Sequence, residues 1–175
     1  KIDLNKQIIF NYTEIGKRKT EITRKFLKKI NNQIRLRVFN SKINKKNISK
    51  IIRNYDIICD GTDNFETRLL INDFCLKTRK VLISAAVSGF DGHIFKFNFK
   101  NKTPCFRCYM PEVPPNDNNC ETEGVLGTIG GIVGSIQANE VVKEILNIGE
   151  SLCGHILVID ALKLTFRKIK LNKRT

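Results

Sequence analysis

Hydrophobic and polar positions alternate along this chain in blocks whose periods change from element to element. Residues 56–59 form a short, bulky run followed by Asp60, Gly61, Thr62, Asp63 and Asn64, which reads as a strand covered on both faces that opens into a polar loop. Residues 65–78 carry Phe65, Leu69, Leu70, Phe74 and Leu76 among polar positions and predict a helix, and residues 80–86 predict a second strand, completing a βαβ unit. The rim after the first strand is where open α/β sheets place their ligands.

The remaining pattern is arranged around that unit. Ile22, Phe26, Leu27 and Ile30 recur at helical spacing within residues 17–32, and residues 34–39 alternate as a strand near a sheet edge. Residues 43–54 predict a short helix. A turn through Asp91 and Gly92 leads into a strand ending near Phe99. Residues 103–119 contain all four prolines and predict a loop without regular structure. From Thr128 to Ile148 the chain predicts a buried helix whose glycines allow another element to approach closely. Residues 155–160 and 164–171 predict two final strands. The fold class is therefore α/β, a mixed sheet flanked by helices, in a single domain over residues 1–175.

Charge changes this picture at one end. The net charge is +14, and residues 1–55 hold 16 Lys/Arg against 3 Asp/Glu, whereas the other residues hold 15 against 14. Such an excess could attract nucleic acid, but no helix-turn-helix, zinc-finger or aromatic-basic pattern accompanies it, so solvated lysine is the expected reading. No apolar run reaches the length of a membrane span and no secretory signal is visible, which predicts no membrane partner and a cytoplasmic location. Cys59 and Cys75 fall in apolar segments and read as buried thiols.

Cys105 and Cys108 form the one compact metal-like spacing. Two thiolates supply half of a structural zinc site; Cys120 and Cys153 are numerically available to complete it, although both are isolated. The Pro-rich continuation argues against a thioredoxin-like use of the pair. Either Asp60 or Asp63 could cap the helix that follows them.

Several ordered motifs together carry a family resemblance. They are Asp3-Leu4-Asn5-Lys6-Gln7, Ile15-Gly16-Lys17-Arg18-Lys19, Cys59-Asp60-Gly61-Thr62-Asp63-Asn64-Phe65 with Thr67-Arg68, Cys105-Phe106-Arg107-Cys108, Gly124-Val125-Leu126-Gly127, and Gly134-Ser135-Ile136-Gln137-Ala138. In these the chain resembles the ThiF/MoeB/HesA family, the bacterial branch related to ubiquitin-activating enzymes. The resemblance implies ATP- and Mg2+-dependent adenylation of the C-terminal glycine of a small ubiquitin-like sulfur-carrier protein, serving molybdopterin, thiamine or related sulfur transfer, by a homodimer. It implies a Rossmann-like mixed sheet flanked by helices, incomplete at the N-terminus; the alternative is a non-catalytic carrier-binding or dimerisation module, an eroded or fragmentary copy of the enzyme.

Residue by residue, the resemblance implies that Asn5, Lys6, Lys19 and Asp63 bind the nucleotide, that Asp63 meets the magnesium ion, and that Lys19 and Asp63 are catalytic with Cys120 as a candidate nucleophile. Lys6 stands where the family usually has arginine and loses the planar fork, and Asp3 stands where asparagine is usual. It also implies zinc at Cys105 and Cys108 once a second pair is supplied beyond Thr175, a glycine-rich nucleotide loop upstream of Lys1, and a flexible crossover loop over residues 104–123.

Overall fold

The computed structural model describes residue 4 and residues 6–101, 103–112 and 124–173. The chain divides into two compact units, Lys1–Lys42 and Ile43–Thr175. In the first, a 3-10 turn at Tyr12–Glu14 is closed reciprocally: the Thr13 amide donates to the Asn11 side chain at 3.0 Å and the Asn11 amide to Glu14 at 3.3 Å. Helix α1, Lys19–Ile30, buries Ile22 while Phe26 and Ile30 stay exposed.

The strand expected at residues 34–39 does not form; the segment is extended but carries no ladder among the described residues. Its alternation survives, with Arg35 and Arg37 exposed and Ile34, Leu36 and Val38 half-buried. Strand character is a property of pairing, and the Ile34 carbonyl instead accepts the Lys28 ammonium at 2.6 Å.

The second unit is a five-stranded sheet in the order β1-β2-β3-β4-β5. Strands β1 (Ile57–Asp60) and β2 (Val81–Ser88) are parallel, with α3 (Phe65–Lys77) as their crossover. Strands β3 (Asp91–Asn98), β4 (His155–Asp160) and β5 (Thr165–Lys170) continue antiparallel, so the sheet is mixed as expected. The register pairs Ser88 with Asp91, which moves the turn from Asp91 and Gly92 to Gly89 and Phe90; Gly89 takes the left-handed φ of +54° that this tight turn requires.

Two cores follow from the period-2 alternation of the strands. On one face Ile58, Leu82, Phe95, Phe97 and Ile156 pack with α2 (Ile48–Ile52), α3 and Phe106. On the other, Val81, Ile83, Ile94 and Ile159 pack against Ile129 and Val133 of the long helix Gly127–Leu146. The loop expected over residues 103–119 contains one helical turn, α4 (Phe106–Tyr109), because the Phe106 amide finds the buried Asn72 side chain at 2.9 Å.

The long helix, α5, is not buried throughout. Ile129, Val133 and Glu140 are covered, while Val142, Ile145 and Leu146 are exposed, because the helix presents one stripe to the sheet. The close approach expected of its glycines belongs to the strand beneath it. A Cβ on Gly130, Gly131 or Gly134 would meet nothing within 4 Å, whereas one on Gly92 of β3 would lie 2.3 Å from Val133 Cγ2. The helix ends at Asn147 in the left-handed conformation, with the Ile148 amide returning to the Lys143 carbonyl at 3.2 Å.

Candidate functional site at the end of the parallel pair

The polar loop after β1 is built on Asp60, which is 1% exposed at the strand end. Its Oδ1 accepts from the Thr62 amide at 2.9 Å and the Thr62 hydroxyl at 2.7 Å, and its Oδ2 accepts from the Ser84 hydroxyl at 2.6 Å. Arg68, one turn into α3 and also buried, places Nε 3.7 Å from Asp60 Oδ2 and donates through Nη1 to Ser84 Oγ at 2.8 Å. Its Nη2 reaches the Thr62 and Ala85 carbonyls at 2.5 and 2.8 Å. From the other side of the sheet, Gln137 of α5 donates to the carbonyls of Asp60 at 3.0 Å and Ile83 at 2.8 Å, tying the end of β1 to its parallel neighbour. Buried polar groups are tolerated only when so satisfied.

This network separates the two carboxylates that sequence left equivalent. Asp60 is consumed inside the fold, whereas Asp63 is exposed and accepts a long 3.3 Å contact from the Asn64 side-chain amide. Neither caps α3: Asn64 does, accepting the Thr67 amide at 2.9 Å. Asp63 is thus a solvent-facing carboxylate at the C-terminal end of a parallel strand, with its chain neighbours fixed on both sides. An oxygen donor held this way suits a hard cation.

Of the other residues singled out, Lys19 opens α1 in the first unit, with its ammonium 6.0 Å over the Phe10 ring, beside a recess lined by Leu4, Asn11, Gly16 and Ile22. Lys6 also belongs to the first unit and lies in a turn, half-buried. Asp63, Cys105 and Cys108 belong to the second. Asp3, Asn5, Cys120 and most of the segment 104–123 fall outside the described residues.

Cys105 and Cys108 are brought together, with sulfurs 3.8 Å apart around the start of α4. Two sulfurs bound at about 2.3 Å to one tetrahedral ion are separated by about 3.8 Å, so the turn already holds the pair at zinc-ligand spacing. Burial pushes the Cys105 thiol up, a cost that a bound cation would reverse. Cys153 does not join them: no group of three or more His, Cys, Asp or Glu residues able to hold a metal occurs among the described residues. The Gly154 carbonyl accepts from the Leu171 amide at 2.9 Å, and a Cβ on Gly154 would touch Pro104, so β5 releases the chain beside the segment that leads into Cys105.

The remaining cysteines divide differently from expectation. Cys75 is fully buried, and burial pushes its thiol up to about 12, whereas Cys59 is exposed on β1. Ser84, Asn72 and Gln137 were given no role by sequence reasoning. The available signal was polar side chains at positions whose periodicity places them inside. Among the described residues no helix is long and apolar enough to cross a membrane.

The profile of the ThiF family matches residues 1–175. The adenylyltransferase and sulfurtransferase MOCS3 of Aedes aegypti is 36% identical over 174 residues, covering 98% of this chain and 40% of that protein. The sulfur carrier protein adenylyltransferase of Thermus thermophilus is 33% identical over 177 residues, covering 98% of this chain and 65% of its own length. The crystal structure of E. coli MccB with ATP superposes with a TM-score of 0.82 at 18% identity, over 98% of this chain and 54% of that one, a likeness of fold. The chain spans between two fifths and two thirds of these relatives, and the match runs through the polar loop, the cysteine turn and α5 alike: it belongs to the ThiF family.

Proposed function

We propose that this chain carries the adenylation chemistry of a sulfur-carrier adenylyltransferase, acting with ATP and Mg2+ on the C-terminal glycine of a small ubiquitin-like protein. The observation that carries the reading is Asp63, a solvent-facing carboxylate fixed at the end of β1 by a saturated buried network, in a chain matched along its whole length by the ThiF family. In the reaction, a carboxylate oxygen of the carrier forms a bond to the α-phosphorus of ATP as the bond to the bridging oxygen breaks, leaving acyl-adenylate and pyrophosphate. When bound, the magnesium ion neutralises charge on the departing pyrophosphate.

Asp63 is the residue that would hold that ion, and its exposure and lightly engaged oxygens fit the role. Lys19 and Lys6, with Asn5, would offset the phosphate charge, Lys19 most at the transition state. Cys120 remains the candidate for a later thioester or persulfide with the carrier. Cys105 and Cys108 would hold two positions on zinc, the others coming from beyond β5. The enzyme would work as a homodimer.

Exchange of labelled pyrophosphate into ATP tests the reading. With a cognate carrier and Mg2+, exchange should depend on the carrier and fall by at least about a hundredfold in Asp63→Ala and Lys19→Ala. Carrier capture without any exchange would instead favour a binding module.

A further inference from the structure

Asp63 has a bracket on each side, and both parts of it originate in α3. On its C-terminal side, Asn64 caps the helix through the Thr67 amide. On its N-terminal side, the Thr62 carbonyl is gripped by Arg68 Nη2 at 2.5 Å, while the Thr62 amide and hydroxyl are gripped by Asp60. Arg68 is itself 4% exposed, and its three nitrogens reach in three directions, with Nε facing Asp60, Nη1 meeting Ser84, and Nη2 spanning Thr62 and Ala85. The guanidinium carbon lies 5.7 Å from the centre of the Phe106 ring. Phe106 is held in turn by the bond from its amide to Asn72, one helical turn further along α3.

We propose that Arg68 is the positioning residue for Asp63, setting where the exposed carboxylate stands relative to the strand end; this rests on the reading of Asp63 as the magnesium-holding group. A planar fork is required, since a lysine ammonium cannot meet Ser84, Thr62 and Ala85 in fixed directions while stacking on Phe106. Its guanidinium is buried against Asp60, and its contact with the loop is through the Thr62 carbonyl.

The experiment is a double-mutant cycle in the carrier-dependent pyrophosphate exchange of the full-length protein, read as a function of Mg2+ concentration. Arg68→Lys should raise the Mg2+ concentration for half-maximal rate about tenfold, and that shift should vanish in an Asp63→Asn background. A second readout needs no catalysis. In the same protein, amide exchange at Thr62, Asp63 and Asn64 should accelerate in Arg68→Lys while the amides of Leu82 and Ile83 keep their protection.

If Arg68→Lys does not fold, Phe106→Leu removes the stacked ring but keeps all three hydrogen bonds of Arg68, and should move both readouts in the same direction by a smaller factor. Equal acceleration of exchange throughout the sheet, or a Mg2+ dependence that Arg68→Lys leaves unchanged, overturns the proposal. An Arg68→Lys shift of the same size with and without Asp63→Asn does so as well, while leaving the role of Asp63 intact. If Asp63→Asn itself leaves the Mg2+ dependence unaltered, the functional reading fails and the proposal falls with it.

Discussion

Among the described residues of the second unit, two ionic networks are buried, one on each face of the sheet, and they do different work. Asp60 at the end of β1 and Ser84 beside it on β2 meet Arg68 of α3. Lys96 lies in the middle of β3 under α5, with its ammonium 3.2 Å from Glu140 and 3.0 Å from Glu144. Glu140 also accepts from the Leu152 amide at 3.3 Å and pairs with Lys143. Desolvation is severe in both, so neither is explained by a gain in stability alone. The first network borders the rim and hands its rigidity to an exposed loop. The second holds the Leu152 amide through Glu140 and fixes the seat of α5 on β3.

The largest effect should come from breaking the rim network at its carboxylate. Asp60→Ala leaves Arg68 charged and buried without its counterion and should cost about 4 kcal/mol, whereas Asp63→Ala should change stability by less than about 0.5 kcal/mol. Urea denaturation of both variants measures the contrast, and comparable losses would erase the distinction between structural and outward carboxylate.

Lys96→Met should cost somewhat less, about 3 kcal/mol, since Lys143 remains against Glu140 and Glu144 is partly exposed. The same network carries a pH signature. Burial alone would raise the Glu140 carboxyl, but hydrogen bonds from Lys143, the Leu152 amide and Lys96 outweigh it and hold the group below its ordinary value of 4.5. A depressed carboxyl contributes stability that is complete above its unfolded value and is lost as pH falls through the lower folded one. Wild-type stability should therefore decline with acidification below about pH 4.5, and Lys96→Met should show a shallower decline. Parallel pH curves for the two proteins would show that Lys96 does not set the Glu140 titration.

The smallest effect separates packing from charge on the α5 face. Gly92→Ala drives a methyl into Val133 and should cost about 2 kcal/mol, most of it recovered by Val133→Ala, which opens room at the point of contact. Thermal unfolding of the two single variants and the double variant reads the coupling. Simple addition of the two losses would mean that the helix shifts to absorb the methyl.

The elements legible in the sequence were those whose partners are local. The β1 loop, α3 and β2 were read as a unit because residues 57–59 are an apolar run that opens into a polar loop and the helix that follows has its own period. Residues 34–39 misled because alternation describes which side chains face inward and says nothing about a hydrogen-bonded neighbour. The glycines of α5 misled for a related reason: a small residue permits contact without causing it, and the contact occurs at Gly92, inside a strand that otherwise reads as ordinary. At the site, Asp63 was identified through the motif around it. Its division from Asp60 could not be read because both carboxylates share one polar run, and only the three-dimensional arrival of Ser84 and Arg68 removes one of them from solvent. Cys59 illustrates the converse. Its apolar neighbours suggested burial, but its side chain lies on the face of β1 opposite Ile58 and Asp60 and is exposed.

The register of the sheet also has a consequence for the order in which the chain can assemble. Strands β2 and β3 are joined by a two-residue turn, and β4 and β5 by the short stretch around Leu162, so each hairpin closes at small entropic cost. Joining the hairpins requires Phe95 to find Ile156 and Asp91 to find Asp160 across the cysteine turn, the crossover segment and all of α5. That pairing carries the greatest loss of chain freedom before any contact repays it, which places the rate-setting encounter of folding at the β3–β4 seam, far along the chain from the loop on which the chemistry depends.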